Sequence, residues 1–285
     1  MELFYSMWPT ALTALSKAEY RTQNHPWICF FHGLGGVGKL WRPISSQIEN
    51  KFNILAPDQR GHGQSIPANP ENEDYTALQC AADLENTIPD SICPNMWLVG
   101  HSMGVRTASA RAHLKPNLTN GLVLIDLGLS GPAGGGIGTV LRTFLDRLPE
   151  KFSNRSEARI FLEAHCPDPA IVQYLLAVLE KNSRDETVGF PFSRSALIKT
   201  IDQAPLSHTD EWAWEFAKSG GPILFLRGEK SGVWSKSDFE KTKEKFLVFP
   251  HVEFDEFNGA GHGLPFEKRL EFVSRLTEFI AKYSE

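Results

Sequence analysis

Met96-Trp97-Leu98-Val99-Gly100-His101-Ser102-Met103-Gly104-Val105 is the stretch that decides how this chain folds. Its first four residues form a continuous apolar run, of the kind that suits a strand buried on both faces. Gly-x-Ser-x-Gly follows over residues 100–104, and Met103–His113 carries a helical pattern. A strand that passes directly into a helix needs a very sharp turn, and the side chain at its apex is pushed out at the carboxyl end of the sheet. Glycines two residues either side leave room for the neighbouring strand and helix. The five-residue pattern alone is weak, because glycine and serine are common. Set between a buried strand and a helix, it marks Ser102 as a nucleophile.

Outward from that turn, short apolar runs recur at Trp27–Phe31, Asn53–Ala56, Leu122–Ile125, Ile223–Leu226 and Val252–Phe257. Helical patterns lie between them at about Leu40–Glu49, Tyr75–Ile88, Ser237–Lys245 and Glu267–Tyr283. Alternating strands and helices predict an α/β fold with a mostly parallel open sheet and helices on both faces. An early strand or two is expected before Trp27. The alternation breaks between Leu129 and Gly221, where Pro132-Ala133-Gly134-Gly135-Gly136 reads as a hinge and Gly220-Gly221-Pro222 as its close. Amphipathic segments at Ile137–Leu148, Glu157–His165 and Ala170–Lys181, with no convincing strand, predict a helical insertion. The expected division is a core of residues 1–128 and 221–285 with a cap of residues 129–220 over the ligand crevice.

Four motifs stand in a fixed order: His32-Gly33-Leu34-Gly35-Gly36, Asp58-Gln59-Arg60-Gly61-His62-Gly63, Gly100–Gly104, and Gly261-His262. Together they resemble the α/β-hydrolase superfamily over nearly the whole chain outside the insertion. The resemblance is to a capped, serine esterase-like member with its acid after the sixth strand. Val105 departs from it, since many relatives carry another glycine there.

The chemistry follows from these positions. A serine hydroxyl is a poor nucleophile until a base takes its proton. Of nine histidines, His262 lies on a loop after the last strand-like run, among small residues, where an imidazole can reach Ser102. His32, His62 and His101 sit in turn motifs and are expected to brace loops, as is Asp58. An acyl-transfer transition state also needs backbone donors for its oxyanion. Met103, at the start of a helix, supplies one N–H, and the resemblance implies that Leu34 supplies the other. The glycines of residues 33–38 with Lys39 superficially suggest a phosphate loop, but Leu40 stands where that motif needs a hydroxyl.

The orienting acid is less direct. Many members of the superfamily carry it after the strand represented here by Ile223–Leu226, where this chain reads Arg227-Gly228-Glu229-Lys230-Ser231-Gly232. Asp126, at the end of Leu122–Ile125, matches the position used by some small esterases of the superfamily. Glu229 and Asp238 stand as alternatives.

These residues predict hydrolysis of a small-molecule carboxylic ester or thioester through an acyl-enzyme, without metal or other cofactor. A carbon–carbon bond hydrolase or lyase of the same fold uses similar residues. A non-catalytic, hydrolase-like ligand-binding protein is the alternative from another class. A net charge of −5 gives no basic face for nucleic acid. Cys29, Cys80, Cys93 and Cys166 show no metal-like spacing, and no segment reads as a signal peptide or membrane span, so a cytoplasmic protein is expected. Phe190, Phe192, Trp212 and Trp214 hint at an apolar acyl site or at simple packing. Arg142, Arg147 and Arg155 read as solvated surface.

Overall fold

The computed structural model describes residues 1–9, 11, 14, 16, 19, 25–89, 94–129, 136–166 and 169–284. The Pro132–Gly135 part of the expected hinge, and Cys93, lie outside the described residues. A seven-stranded sheet forms the centre. Its strands are β1 (Tyr5–Trp8), β2 (Trp27–Phe31), β3 (Asn53–Pro57), β4 (Met96–His101), β5 (Thr119–Ile125), β9 (Ile223–Gly228) and β10 (Val252–Phe257). They lie in the order β1-β3-β2-β4-β5-β9-β10, with β1 antiparallel to β3 and all other pairs parallel. Among the described residues, one early strand thus precedes Trp27.

The inner strands β2, β3, β4 and β9, and β5 from Gly121 on, are buried on both faces, as their apolar runs require, while the edge strands β1 and β10 are only partly buried. Side chains alternate across the sheet. Ile28, Phe30, Trp97, Val99, Val123 and Leu224 point to one face, packing on Trp41, on Ile44 of α1 (Arg42–Ile48), and on Phe272, Leu276 and Phe279 of α11 (Arg269–Lys282). Phe31, Leu98, Leu122, Leu124 and Phe225 point to the other. There they meet helices α2 (Ala77–Thr87), α3 (Met103–Leu114), α8 (Thr209–Lys218) and α9 (Lys236–Phe246). Each fully buried Leu, Ile or Phe contributes roughly 1.5–3 kcal/mol, so these two layers hold the strand ends of β4, β5 and β9 in register.

Among the described residues, four α-helices lie between β5 and α8: α4 (Gly136–Arg147), α5 (Arg155–His165), α6 (Pro169–Val178) and α7 (Arg194–Gln203). They share a hydrophobic cluster of their own, built on Phe144, Leu148, Phe152, Leu162, Leu176 and Leu197. Contrary to the sequence expectation, this region does contain strands. β6 (Lys151–Phe152), β7 (Glu180–Lys181) and β8 (Val188–Gly189) form a small antiparallel sheet; two residues are too few to leave a period-two pattern. The expected helix Glu267–Tyr283 is α11, preceded by the short α10 (Leu264–Glu267). Trp212, on α8, packs with Ala77, Ala81 and Ala110, while Trp214 meets Phe246 and Phe249. Those two aromatics therefore serve the central layers.

Trp97 is 1% exposed, meets Phe279 edge-on at 5.7 Å, and leaves room only for a glycine at residue 121. Trp97→Ala is expected to cost about 3–5 kcal/mol, read as a lower urea midpoint with unchanged slope; a loss under about 1 kcal/mol would contradict this packing.

Candidate active site

The turn after β4 has the geometry its sequence demands. Ser102 adopts φ 52°, ψ −120°, a left-handed region that costs a non-glycine residue roughly 1–3 kcal/mol. The bend is held by Ser102 N–H donating to the Ile125 carbonyl at 2.9 Å, which ties β4 to β5. A Cβ on Gly100 would lie 2.3 Å from the Gly104 carbonyl oxygen, and one on Gly104 would lie 2.3 Å from that of Phe31. Both positions must be glycine for the backbone to cross so closely.

Three side chains from three strand ends converge here. The His262 Nε2 lies 3.0 Å from the Ser102 Oγ, and its Nδ1 lies 2.7 Å from the Asp126 Oδ2. A carboxylate only accepts, so Nδ1 carries the hydrogen and Nε2 presents its lone pair to the serine hydroxyl. Asp126 is wholly buried and also left-handed, with φ 55°. Its Oδ1 accepts from the Gly228 N–H at 2.9 Å, and its Oδ2 also accepts from the Ser231 hydroxyl. Ser231 occupies the loop where many α/β hydrolases place the acid; here it supports a carboxylate from the neighbouring strand. The two alternatives face elsewhere. Glu229 accepts from the Gly259 N–H at 2.6 Å, and Asp238 is paired with Ser235 and Lys241 at the start of α9.

The glycine-rich loop after β2 is held by neutral histidines. His32 accepts the Gln59 N–H on Nε2 and donates from Nδ1 to the Gly33 carbonyl. His62 accepts the Gly35 N–H on Nε2 and donates from Nδ1 to the Arg60 carbonyl. His101 donates from Nε2 to the His262 carbonyl at 2.8 Å. Asp58 accepts from the Gly38 and Gln64 N–H groups, bracing the two loops. Tyr174, from α6, donates to the Gly33 carbonyl at 3.2 Å and fills the space beside Gly36. Leu34 and Met103 flank Ser102 on the wall of one cavity. The N–H of Met103 belongs to the first turn of α3, where backbone donors have no partner within the helix.

Two adjoining cavities, of about 60 and 70 Å³, open on Ser102 and His262. The first is walled by Phe144, Leu145, Tyr174, Leu175 and Leu197. The second adds Arg106, Leu127, Ile201 and Val233. Phe190 and Phe192 stack on each other at 5.2 Å and lie on a separate groove. Arg142 pairs with Asp202 on the surface. Among the described residues, no three histidine, cysteine or carboxylate side chains are grouped as metal ligands, and no helix is long and apolar enough to cross a membrane. Ser231, Tyr174 and Arg106 lie outside the four sequence motifs. Of these, Arg106 was signalled by its place one helical turn after Ser102.

A family model described as "alpha/beta hydrolase fold" matches residues 26–269. The chain belongs to the α/β-hydrolase family. Mouse sn-1-specific diacylglycerol lipase ABHD11 is 27% identical over 269 residues, 90% of this chain and 81% of that protein. The Schizosaccharomyces pombe abhydrolase domain-containing protein C22H12.03 is 28% identical, covering 94% and 96%. Among solved structures, a marine microorganism esterase superposes with a TM-score of 0.74 at 22% identity over 98% of this chain and 99% of its own, a likeness of fold.

Burial lowers the pKa of His32 from 6.5 to about 4, and those of His62 and His101 to about 3. The His101 shift arises from burial first and from the facing His262 second. The unfolded chain therefore holds more protons than the folded one as pH falls through 6.5, and stability falls as pH drops from 6.5 toward 4. Calorimetry between about pH 7 and 5 is expected to show a falling thermal midpoint, with a shallower fall in His101→Gln; a midpoint that rises on acidification would contradict these assignments.

Proposed function

We propose that this chain is a serine esterase that hydrolyses a small-molecule carboxylic ester or thioester through an acyl-enzyme. The observation that carries this reading is the continuous contact from Ser102 through His262 to the buried Asp126, at 3.0 and 2.7 Å. The esterase and lipase names among its relatives point the same way.

In this mechanism Ser102 attacks the carbonyl carbon while His262 Nε2 takes the hydroxyl proton. The imidazolium that forms is stabilised by Asp126, whose two further donors keep the carboxylate aimed at Nδ1. The N–H groups of Leu34 and Met103 hold the oxyanion, each worth roughly 3–4 kcal/mol in the transition state. His262 returns its proton to the leaving alcohol or thiol. It then activates water, which releases the acid and restores Ser102. The helices α4–α7 form the cap over this site. These four helices lie within residues 129–220, and α8, which follows them, packs on α3. Tyr174 ties the cap to the loop that carries Leu34.

A fluorophosphonate probe is expected to label the native protein and not Ser102→Ala; equal labelling of both would remove Ser102 from the reaction. Asp126→Asn is expected to lower kcat for a p-nitrophenyl ester by about 10⁴-fold with the fold retained, because the imidazole loses its orienting acceptor. Ser231→Ala removes only one donor to that carboxylate, and a loss of roughly tenfold is expected. Near-native turnover in Asp126→Asn would assign the acid elsewhere.

A further inference from the structure

The second cavity carries a charge that an apolar ester does not need. Arg106 follows Ser102 by four residues, one turn along α3 and on the same face. Helical side chains lean toward the N-terminus of their helix, which carries Arg106 back toward the nucleophile. It lines the cavity of about 70 Å³ with Ser102, Met103 and His262, among Leu127, Ile201 and Val233.

Among the described residues nothing neutralises it: no carboxylate lies within 4.0 Å of the guanidinium, and no acceptor hydrogen-bonds to it. Burial alone draws its pKa down to about 10, with no opposing charge acting on it. The side chain is half-buried, so the guanidinium has lost part of its hydration without gaining a partner. Its place near the start of α3 adds a second cost, since the helix dipole favours anions there, and the first turn of α3 holds no acidic residue. Both costs fall away when an anion enters the cavity. A guanidinium matches a carboxylate with two parallel hydrogen bonds. The cavity is small, about 70 Å³, so the anion must be compact and on a short spacer.

We propose that Arg106 binds a free carboxylate of the substrate, a few atoms from the scissile carbonyl. The substrate class is then the half-ester or half-thioester of a short dicarboxylic acid. This rests on the esterase reading above and names the substrate of that same site.

The test compares the p-nitrophenyl monoester of glutaric acid with p-nitrophenyl hexanoate, an uncharged chain of similar length. In Arg106→Gln the ratio of kcat/KM for the charged over the uncharged ester is expected to fall roughly 10- to 100-fold, the worth of a hydrogen-bonded charge. The fall should lie mainly in KM. Arg106→Lys keeps the charge without the fork, and a smaller fall is expected, which covers failure of the first variant to fold. Binding is read separately by titration calorimetry of glutarate into Ser102→Ala and Ser102→Ala/Arg106→Gln, with roughly tenfold or weaker binding expected in the double variant. An unchanged ratio with unchanged glutarate binding overturns the proposal and leaves the esterase standing. Absent turnover of both esters by the native protein, with glutarate binding still dependent on Arg106, overturns the esterase reading and leaves the anion site.

Discussion

The buried carboxylate of Asp126 is the interaction on which the rest of the site depends. A charge enclosed in an apolar core is costly unless hydrogen bonds satisfy it. Here the satisfaction comes from three directions at once: the Gly228 backbone, the Ser231 hydroxyl and the His262 ring. These donors come from the loops after β9 and β10, so the same contacts that solvate the charge fix the relative positions of those loops. His262 is thereby placed over Ser102, with the His101 ring packed against its own at 4.9 Å.

The backbone shows the corresponding strain. Among the described residues, Ser102 and Asp126 are the non-glycine residues at positive φ, and they end adjacent parallel strands. Their conformations are coupled, because Ser102 N–H donates to the Ile125 carbonyl and Asp126 N–H to that of Leu226. Close packing of the two sheet faces holds both bends. The loop carrying Leu34 is fixed by a different device, neutral imidazoles that accept backbone N–H groups. That arrangement is available only to histidines kept uncharged by burial.

Much of this was legible in the sequence, and for definite reasons. Strands buried on both faces leave unbroken apolar runs, so the central strands were readable, and the Gly-x-Ser-x-Gly bend named its own apex. Asp126 was readable as a candidate because it ends such a run; what the sequence left open was whether Glu229 or Asp238 could turn inward. That depends on which donors lie nearby, and both prove to be engaged at other turns. Ser231 was passed over for the same reason that made the later loop look empty: it carries no carboxylate, and its hydrogen bond crosses from one strand end to the next. Arg106 went unmarked because a single cation in a helix reads as solvated surface. The small sheet of β6, β7 and β8 was missed because two-residue strands have no periodicity. Trp212 and Trp214 lie inside the stretch where the alternation breaks, yet their helix packs on α3, a long-range contact that spacing does not encode.

The central claim is that Asp126 holds His262 with its hydrogen on Nδ1 and its lone pair toward Ser102. Nitrogen-15 NMR of the histidine rings near about pH 8 measures this directly. The account predicts a protonated Nδ1 and a bare Nε2 for His262, with that preference lost in Asp126→Asn. A ring protonated on Nε2 in the native protein, or one indifferent to the Asp126 substitution, would contradict it.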